Sequence, residues 1–168
     1  MKSFMYHYIR NGDADLPWFR YLHMNNFKRQ LDFFQERYDF VSIDAWKNAV
    51  QNKKIIPNAA ILTFDDGLKD HYLVAKELKS RGLWGIFYIS TGCYDRKQLL
   101  DVHRIHILIG KYGGAYILSK LEALISEGMV QDKYIDKFHN VTYTRQDNDE
   151  ATKQVKQLLN YFISKEEK

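Results

Sequence analysis

Asp65 and Asp66, side by side and followed by Gly67, are the residues of this chain best equipped for chemistry. They close the stretch Ala59-Ala60-Ile61-Leu62-Thr63-Phe64-Asp65-Asp66-Gly67. Its apolar start reads as a strand buried on both faces, the pattern of a parallel sheet. Successive strand side chains point to opposite faces, so the two acids cannot converge while the strand stays regular. Gly67 lifts that constraint, because glycine takes the positive φ of a sharp turn and lets the backbone swing both acids to one rim. Paired carboxylates at the carboxyl end of a parallel strand stand where α/β folds keep their chemistry. A plain Asp-Gly turn after a strand fits the same residues.

His103 and His106 are a second pair with ligand spacing. Three apart on a predicted helix, they share a face and can reach one ion. Alternatively, both belong to a helical insert, where they line the cleft or cap a core. His7 reads as a hydrogen-bonded core histidine, sharing a face with Met5 and Ile9 on a regular strand. His23, His71 and His139 have no partner at ligand spacing and read as surface or core residues. Cys93 reads as a small residue at a strand end, since no His-and-acid set points at it.

These side chains need elements to hold them. Residues 4–9 form a predicted strand bounded by the turn Asn11-Gly12-Asp13. Residues 16–26 read as a loop anchored by Trp18, Phe19 and Tyr21. A helix capped near Asn25 or Asn26 follows, with Phe27, Leu31, Phe34 and Tyr38 on its sheet-facing side. Residues 39–42 are a short strand, and Ser42 caps a helix over 43–51 whose positive end favours Asp44. Pro57-Asn58 turns the chain into the central strand. A helix over 70–80, ended by Gly82, leads to a strand over 84–90, which makes a β-α-β unit with parallel strands. Strand and helix alternate this far, as in an α/β sheet or the start of a barrel.

From Asp95 onward the chain turns helical, with helices predicted over 97–109, 115–127, 132–138 and 148–164. Their joints are 110–114, Gly128 and the polar stretch 139–147. The last helix carries an apolar stripe of Ala151, Val155, Leu158, Leu159 and Phe162. The glycines around Lys111 are not a phosphate loop, since their spacing is wrong and no strand precedes them.

Thr63-Phe64-Asp65-Asp66-Gly67 resembles the first motif of the polysaccharide deacetylases, the NodB-homology or carbohydrate esterase 4 group. Phe4-Met5-Tyr6-His7-Tyr8 is similar to that family's first strand, and Trp84-Gly85-Ile86-Phe87-Tyr88-Ile89 to the apolar strand after motif one. The resemblance implies an α/β fold. It would be a partial distorted (β/α) barrel of about four parallel strands over residues 1–94, then a helical insert or extension over 95–168. It also implies hydrolysis of N-acetyl or O-acetyl groups on a poly- or oligosaccharide. Amide hydrolysis calls for a strong nucleophile, which a divalent metal, zinc by the resemblance, supplies by acidifying its water. Asp65 would be the general base, Asp66 a metal ligand and His7 a residue behind the ligands.

The family's second motif, His-Ser/Thr-x-x-His, has no full counterpart. The nearest segment, Asp101-Val102-His103-Arg104-Ile105-His106, spaces its histidines by three and lacks the hydroxyl residue. His103, His106 and Asp66 still make a chemically reasonable zinc triad. The later motifs, which supply an Arg, an acetyl pocket and a second catalytic His, are not found. The expectation is therefore the N-terminal part of a deacetylase, an open sheet able to self-associate through its edge. The alternative is a non-catalytic truncated member lacking the metal-binding His pair. Two other classes rank lower: an aspartyl phosphotransferase, which spaces its acids as Asp-x-Asp, and a sugar-binding module built on exposed aromatics.

With 168 residues the chain is long enough for one domain with a real core. The net charge of +4 comes from scattered Lys and Arg, so nucleic-acid binding is not indicated. Twelve Tyr and ten Phe suit either a carbohydrate-facing surface or a well-packed core. A single cysteine rules out an internal disulfide framework. No apolar run approaches the roughly 20 residues of a membrane span. The start Met1-Lys2-Ser3-Phe4 lacks a signal's apolar core, so the expected location is the cytoplasm.

Overall fold

The computed structural model describes residues 1–125, 129 and 147–163. The chain forms two compact units, one of Met1–Gly12 with Arg20–Arg96 and the other of Asp13–Phe19 with Lys97–Lys168. Among the described residues no helix is long and apolar enough to cross a membrane.

The first unit is built on a strand that is buried at every position. It comprises β1 (Lys2–Tyr6), β2 (Ile9–Arg10), β3 (Leu22–His23), α1 (Met24–Gln35), β4 (Asp39–Phe40), α2 (Ile43–Gln51), β5 (Ala59–Phe64), α3 (His71–Ser80), β6 (Ile86–Phe87) and α4 (Thr91–Arg96). All six residues of β5 are buried, as its unbroken apolar run requires of a central parallel strand. β1 lies parallel along one edge, from Lys2 opposite Ala60 to Tyr6 opposite Phe64. A strand has two edges, so β4, opposite Ala59 and Ala60, and β6, opposite Thr63 and Phe64, share the other. β2 and β3 form a separate parallel pair. Among the described residues the four-stranded sheet is open, and the fold is the mixed α/β arrangement expected.

The core follows from helical spacing. Phe27 and Leu31 of α1, and Val74 and Leu78 of α3, stand four apart and bury their faces with Ile9, Met24, Leu62 and Phe64. Phe64 sits in a nest of rings, stacked on Phe87 at 4.8 Å and on Tyr6 at 5.7 Å, with Phe27 edge-on at 6.1 Å. Ser42 caps α2 as expected, its Oγ accepting from the Ala45 N–H at 3.2 Å.

Three boundaries differ from the sequence reading. The strand predicted over 4–9 breaks at Tyr6, and pairing resumes at β2 against a β3 that lay inside the predicted loop. α1 starts at Met24, capped by the ring Nδ1 of His23 accepting from the Asn25 N–H at 3.2 Å, and not by Asn25 or Asn26. Any acceptor at that position serves, and an imidazole lone pair is one. The strand predicted over 84–90 pairs only at Ile86 and Phe87, because β5 ends opposite them, and residues 91–96 form the unanticipated α4.

In the second unit α5 (Asp101–Tyr112), α6 (Gly114–Leu124) and α7 (Glu150–Gln157) precede a π-helical turn, Leu158–Phe162. Ile105, Ile109, Ile117 and Val155 form its core, with Leu118, Leu121 and Leu159 packed against them. α5 runs through Gly110 and Lys111, so the break expected over 110–114 narrows to Gly113. The stretch 13–19 docks here, with the Trp18 N–H donating to the Gly110 carbonyl at 2.8 Å. Asp149 caps α7, accepting from the Thr152 N–H at 2.8 Å. The helix predicted over 132–138, Gly128 and His139 lie outside the described residues.

Candidate active site

The site grows from the end of the β1–β5 ladder. After the last pair, Tyr6 with Phe64, the Asp65 N–H still donates to the Tyr6 carbonyl at 3.0 Å. Asp65 therefore leaves the sheet beside His7. The backbone then turns through two consecutive left-handed residues, Asp66 with φ 78° and Gly67 with φ 60°. Asp visits that region more readily than most side chains, and Gly does so at no steric cost. The sequence credited the turn to Gly67 alone, whereas Asp66 shares it. Ile89 packs over the turn, so a Cβ on Gly67 would stand 3.3 Å from its Cγ2.

Both acids reach one open cleft of about 360 Å³, lined by Asp65, Asp66, Tyr88, Ile89 and Ser90. His7 faces them, its Nε2 3.9 Å from Asp65 Oδ2 and 3.8 Å from Asp66 Oδ2. The side chains of His7, Asp65 and Asp66 are 43%, 27% and 26% exposed. His7 is thus not the core histidine expected of a regular strand. It follows Met5 to the exposed face, and the break after Tyr6 lets Ile9 turn inward to full burial.

Neighbouring groups fix this rim. The His71 ring, buried between Phe64 and Phe87 at 5.6 and 5.8 Å, bonds the His7 carbonyl through Nε2 at 2.8 Å. A carbonyl only accepts, so His71 carries its hydrogen on Nε2. Arg10 grips Asp70 Oδ2 with Nε at 2.8 Å and Nη2 at 2.7 Å, which ties β2 to the start of α3. Burial pushes the Tyr8 phenol up, and the charge of Asp66 adds to the shift, so Tyr8 keeps its proton.

A zinc site of the catalytic kind takes three protein ligands. Among the described residues no group of three or more His, Cys, Asp or Glu side chains could hold a metal ion. The first unit brings His7 to the two acids, while the proposed ligands His103 and His106 belong to the second unit. His103 is buried on α5 and His106 half-buried. As the side chains stand, the described residues do not fit the metal the resemblance implies.

Tyr88, Ile89 and Ser90 were read from sequence only as strand. One signal marked them: their apolar run continues past the residues a short parallel strand can pair, at the rim where β5 delivers its acids.

No family model matches the sequence, and no curated protein matches it. Solved structures do match. One is a de-N-acetylase from Aggregatibacter actinomycetemcomitans, 21% identical, covering 58% of this chain and 41% of that one at a TM-score of 0.47. Another is the Streptococcus pyogenes deacetylase PplD in complex with acetate, 20% identical, covering 95% of this chain and 80% of that one at a TM-score of 0.46. Both are deacetylases. The chain spans about two fifths of the length of the first and four fifths of the second.

Proposed function

We propose that this chain carries the acid-bearing half of a deacetylase site, acting on N-acetyl or O-acetyl groups of a poly- or oligosaccharide. The observation that supports it is the delivery of Asp65 and Asp66 to one cleft by the Asp66–Gly67 turn, with His7 within 4 Å of both. In this reading Asp65 takes a proton from the water that attacks the acyl carbon. The carbon–nitrogen or carbon–oxygen bond breaks as Asp65 returns that proton to the leaving nitrogen or oxygen, and acetate is the second product. Asp66 and His7 stand beside that centre, and Tyr8, which keeps its proton, borders Asp66. Asp66 is the side chain this cleft would offer to a divalent metal, zinc by the resemblance.

Acetate release from a chito-oligosaccharide, measured with and without added zinc, tests the reading. Asp65→Asn should lower the rate by about 10²- to 10⁴-fold, the usual contribution of a general base. Equal release by the variant would remove Asp65 from the chemistry. A second reading, a non-catalytic relative, is favoured by the absence of a three-ligand group among the described residues. Negligible zinc affinity, equal in the native chain and Asp66→Ala, together with no acetate release, would establish that alternative for this chain.

A further inference from the structure

We infer that Tyr88 is the stacking wall of the Asp65–Asp66 cleft, placed to take the apolar face of a neutral sugar ring. This rests on the deacetylase reading above and names the part of the substrate that the acids do not hold. The Tyr88 N–H donates to the Phe64 carbonyl at 2.8 Å, which sets the residue one step beyond the last β5–β6 pair. Its backbone is thereby fixed at the rim where Asp65 emerges. Among the described residues its side chain makes no hydrogen bond, ion pair or ring contact, and 53% of the residue is exposed. The contrast with its neighbours is clear. Phe87 stacks on Phe64 at 4.8 Å, and the Tyr6 hydroxyl donates to Gln30 at 2.9 Å.

A lone exposed tyrosine is ordinary. What distinguishes this one is the company it keeps in the cleft. Ionised carboxylates only accept hydrogen bonds, so an occupant must offer O–H or N–H donors to Asp65 and Asp66. Tyr88 and Ile89 demand an apolar surface from the same molecule. A pyranose ring meets both conditions, with C–H bonds on its faces and donors around its rim. A phosphorylated ligand is repelled by the two acids. A small cation would leave the Tyr88 and Ile89 wall without a contact. The cleft's 360 Å³ is near the lower end of ligand sites, roughly 300–1,000 Å³, which suits one ring seated in an open groove.

The test is titration of the full chain with three probes: tri-N-acetylchitotriose, cellotriose and spermidine. The proteins are the native chain, Tyr88→Phe and Tyr88→Ala. Tyr88 is half exposed, so a matching thermal midpoint will show that truncation leaves the fold intact. The expected result is N-acetylated trimer binding kept by Tyr88→Phe and weakened about 3- to 10-fold by Tyr88→Ala. Equal binding by Tyr88→Ala, or native binding of spermidine and of neither sugar, overturns the inference. If cellotriose binds as well as the acetylated trimer and both weaken in Tyr88→Ala, the stacking wall stands and the deacetylase reading is what fails.

Discussion

Alanine at Gly85 should cost more stability than alanine at Gly67, although only Gly67 holds a left-handed backbone. At Gly85 a Cβ would stand 2.6 Å from Phe64 Cε2, 3.1 Å from its Cδ2 and 3.2 Å from the Leu62 carbonyl oxygen. The fully buried Phe64 ring is clamped by Phe87, Tyr6 and Phe27, and a strand carbonyl cannot retreat. Overpacking of this kind costs about 1–3 kcal/mol, here at the upper end. Removing glycine's freedom from the unfolded chain returns about 0.4–1 kcal/mol, leaving about 2 kcal/mol. At Gly67 the left-handed conformation costs about 1–2 kcal/mol and the same credit applies. Its Cβ would meet only Ile89 at 3.3 Å, and Ile89 is 58% exposed and free to shift. The net is about 0–1.6 kcal/mol, still below the Gly85 figure. Urea unfolding at 25 °C, followed by the fluorescence of Trp46 and Trp84 in the first unit, measures both. Gly67→Ala should instead weaken ligand binding in the cleft, because it moves the turn that aims the acids. A Gly67→Ala cost equal to or above that of Gly85→Ala would refute the claim that packing around Phe64 outweighs backbone strain at the turn.

Two further outcomes follow from groups away from the cleft. Hydrogen bonding from Arg81 holds the Glu77 carboxyl below its ordinary value; burial pushes the other way, and Lys28 adds to the lowering. A depressed folded pKa contributes stability at and above the unfolded value and loses it as pH falls through the folded one. Thermal midpoints should therefore drop as pH falls below about 4.5, and Glu77→Gln should flatten that part of the profile. Ser42→Ala removes the acceptor for the Ala45 N–H and should lower stability by about 1 kcal/mol in the same urea assay.

What was legible in the sequence was whatever a local rule decides. The unbroken apolar run 59–62 announced a buried parallel strand, because few other settings hide both faces. Ser42 announced its cap, and Phe27 with Leu31 announced the buried side of α1. What stayed hidden depends on the partner strand. β5 is six residues long, so β6 can pair with it only where β5 is still present, and Tyr88 and Ile89 fall off its end to become cleft wall. The break after Tyr6 has the same character, since nothing within residues 4–9 tells Ile9 to leave β5 and pair, as β2, with Leu22. The candidate site divides likewise. Asp65 and Asp66 were visible as a motif; the resemblance set His7 behind them, but its own residue pattern read as core, and only the parallel pairing with β5 shows it facing both acids.

That pairing carries a further consequence for how stability and chemistry are joined here. Register sets which side chains of β1 leave the sheet at which end, and a one-residue slip would exchange its two faces. The inward face holds Phe4, stacked on Phe34 at 3.9 Å, and Tyr6, edge-on to Phe27 at 5.1 Å with its hydroxyl on Gln30. Slipping by one would turn those rings to solvent and bring Ser3 and Met5 into their place. Full burial of an aromatic side chain is worth about 1.5–3 kcal/mol over its exposed form, and the half-buried Phe4 and Tyr6 each hold part of that, enough together to fix the register. The position after Tyr6 is then forced to stand beside the position after Phe64, and it presents its side chain on the outward face. That position is His7, and its neighbour is Asp65. The rings of β1 thus do two jobs with one set of contacts: they seal the core under α1, and they aim an imidazole at the acids that β5 delivers.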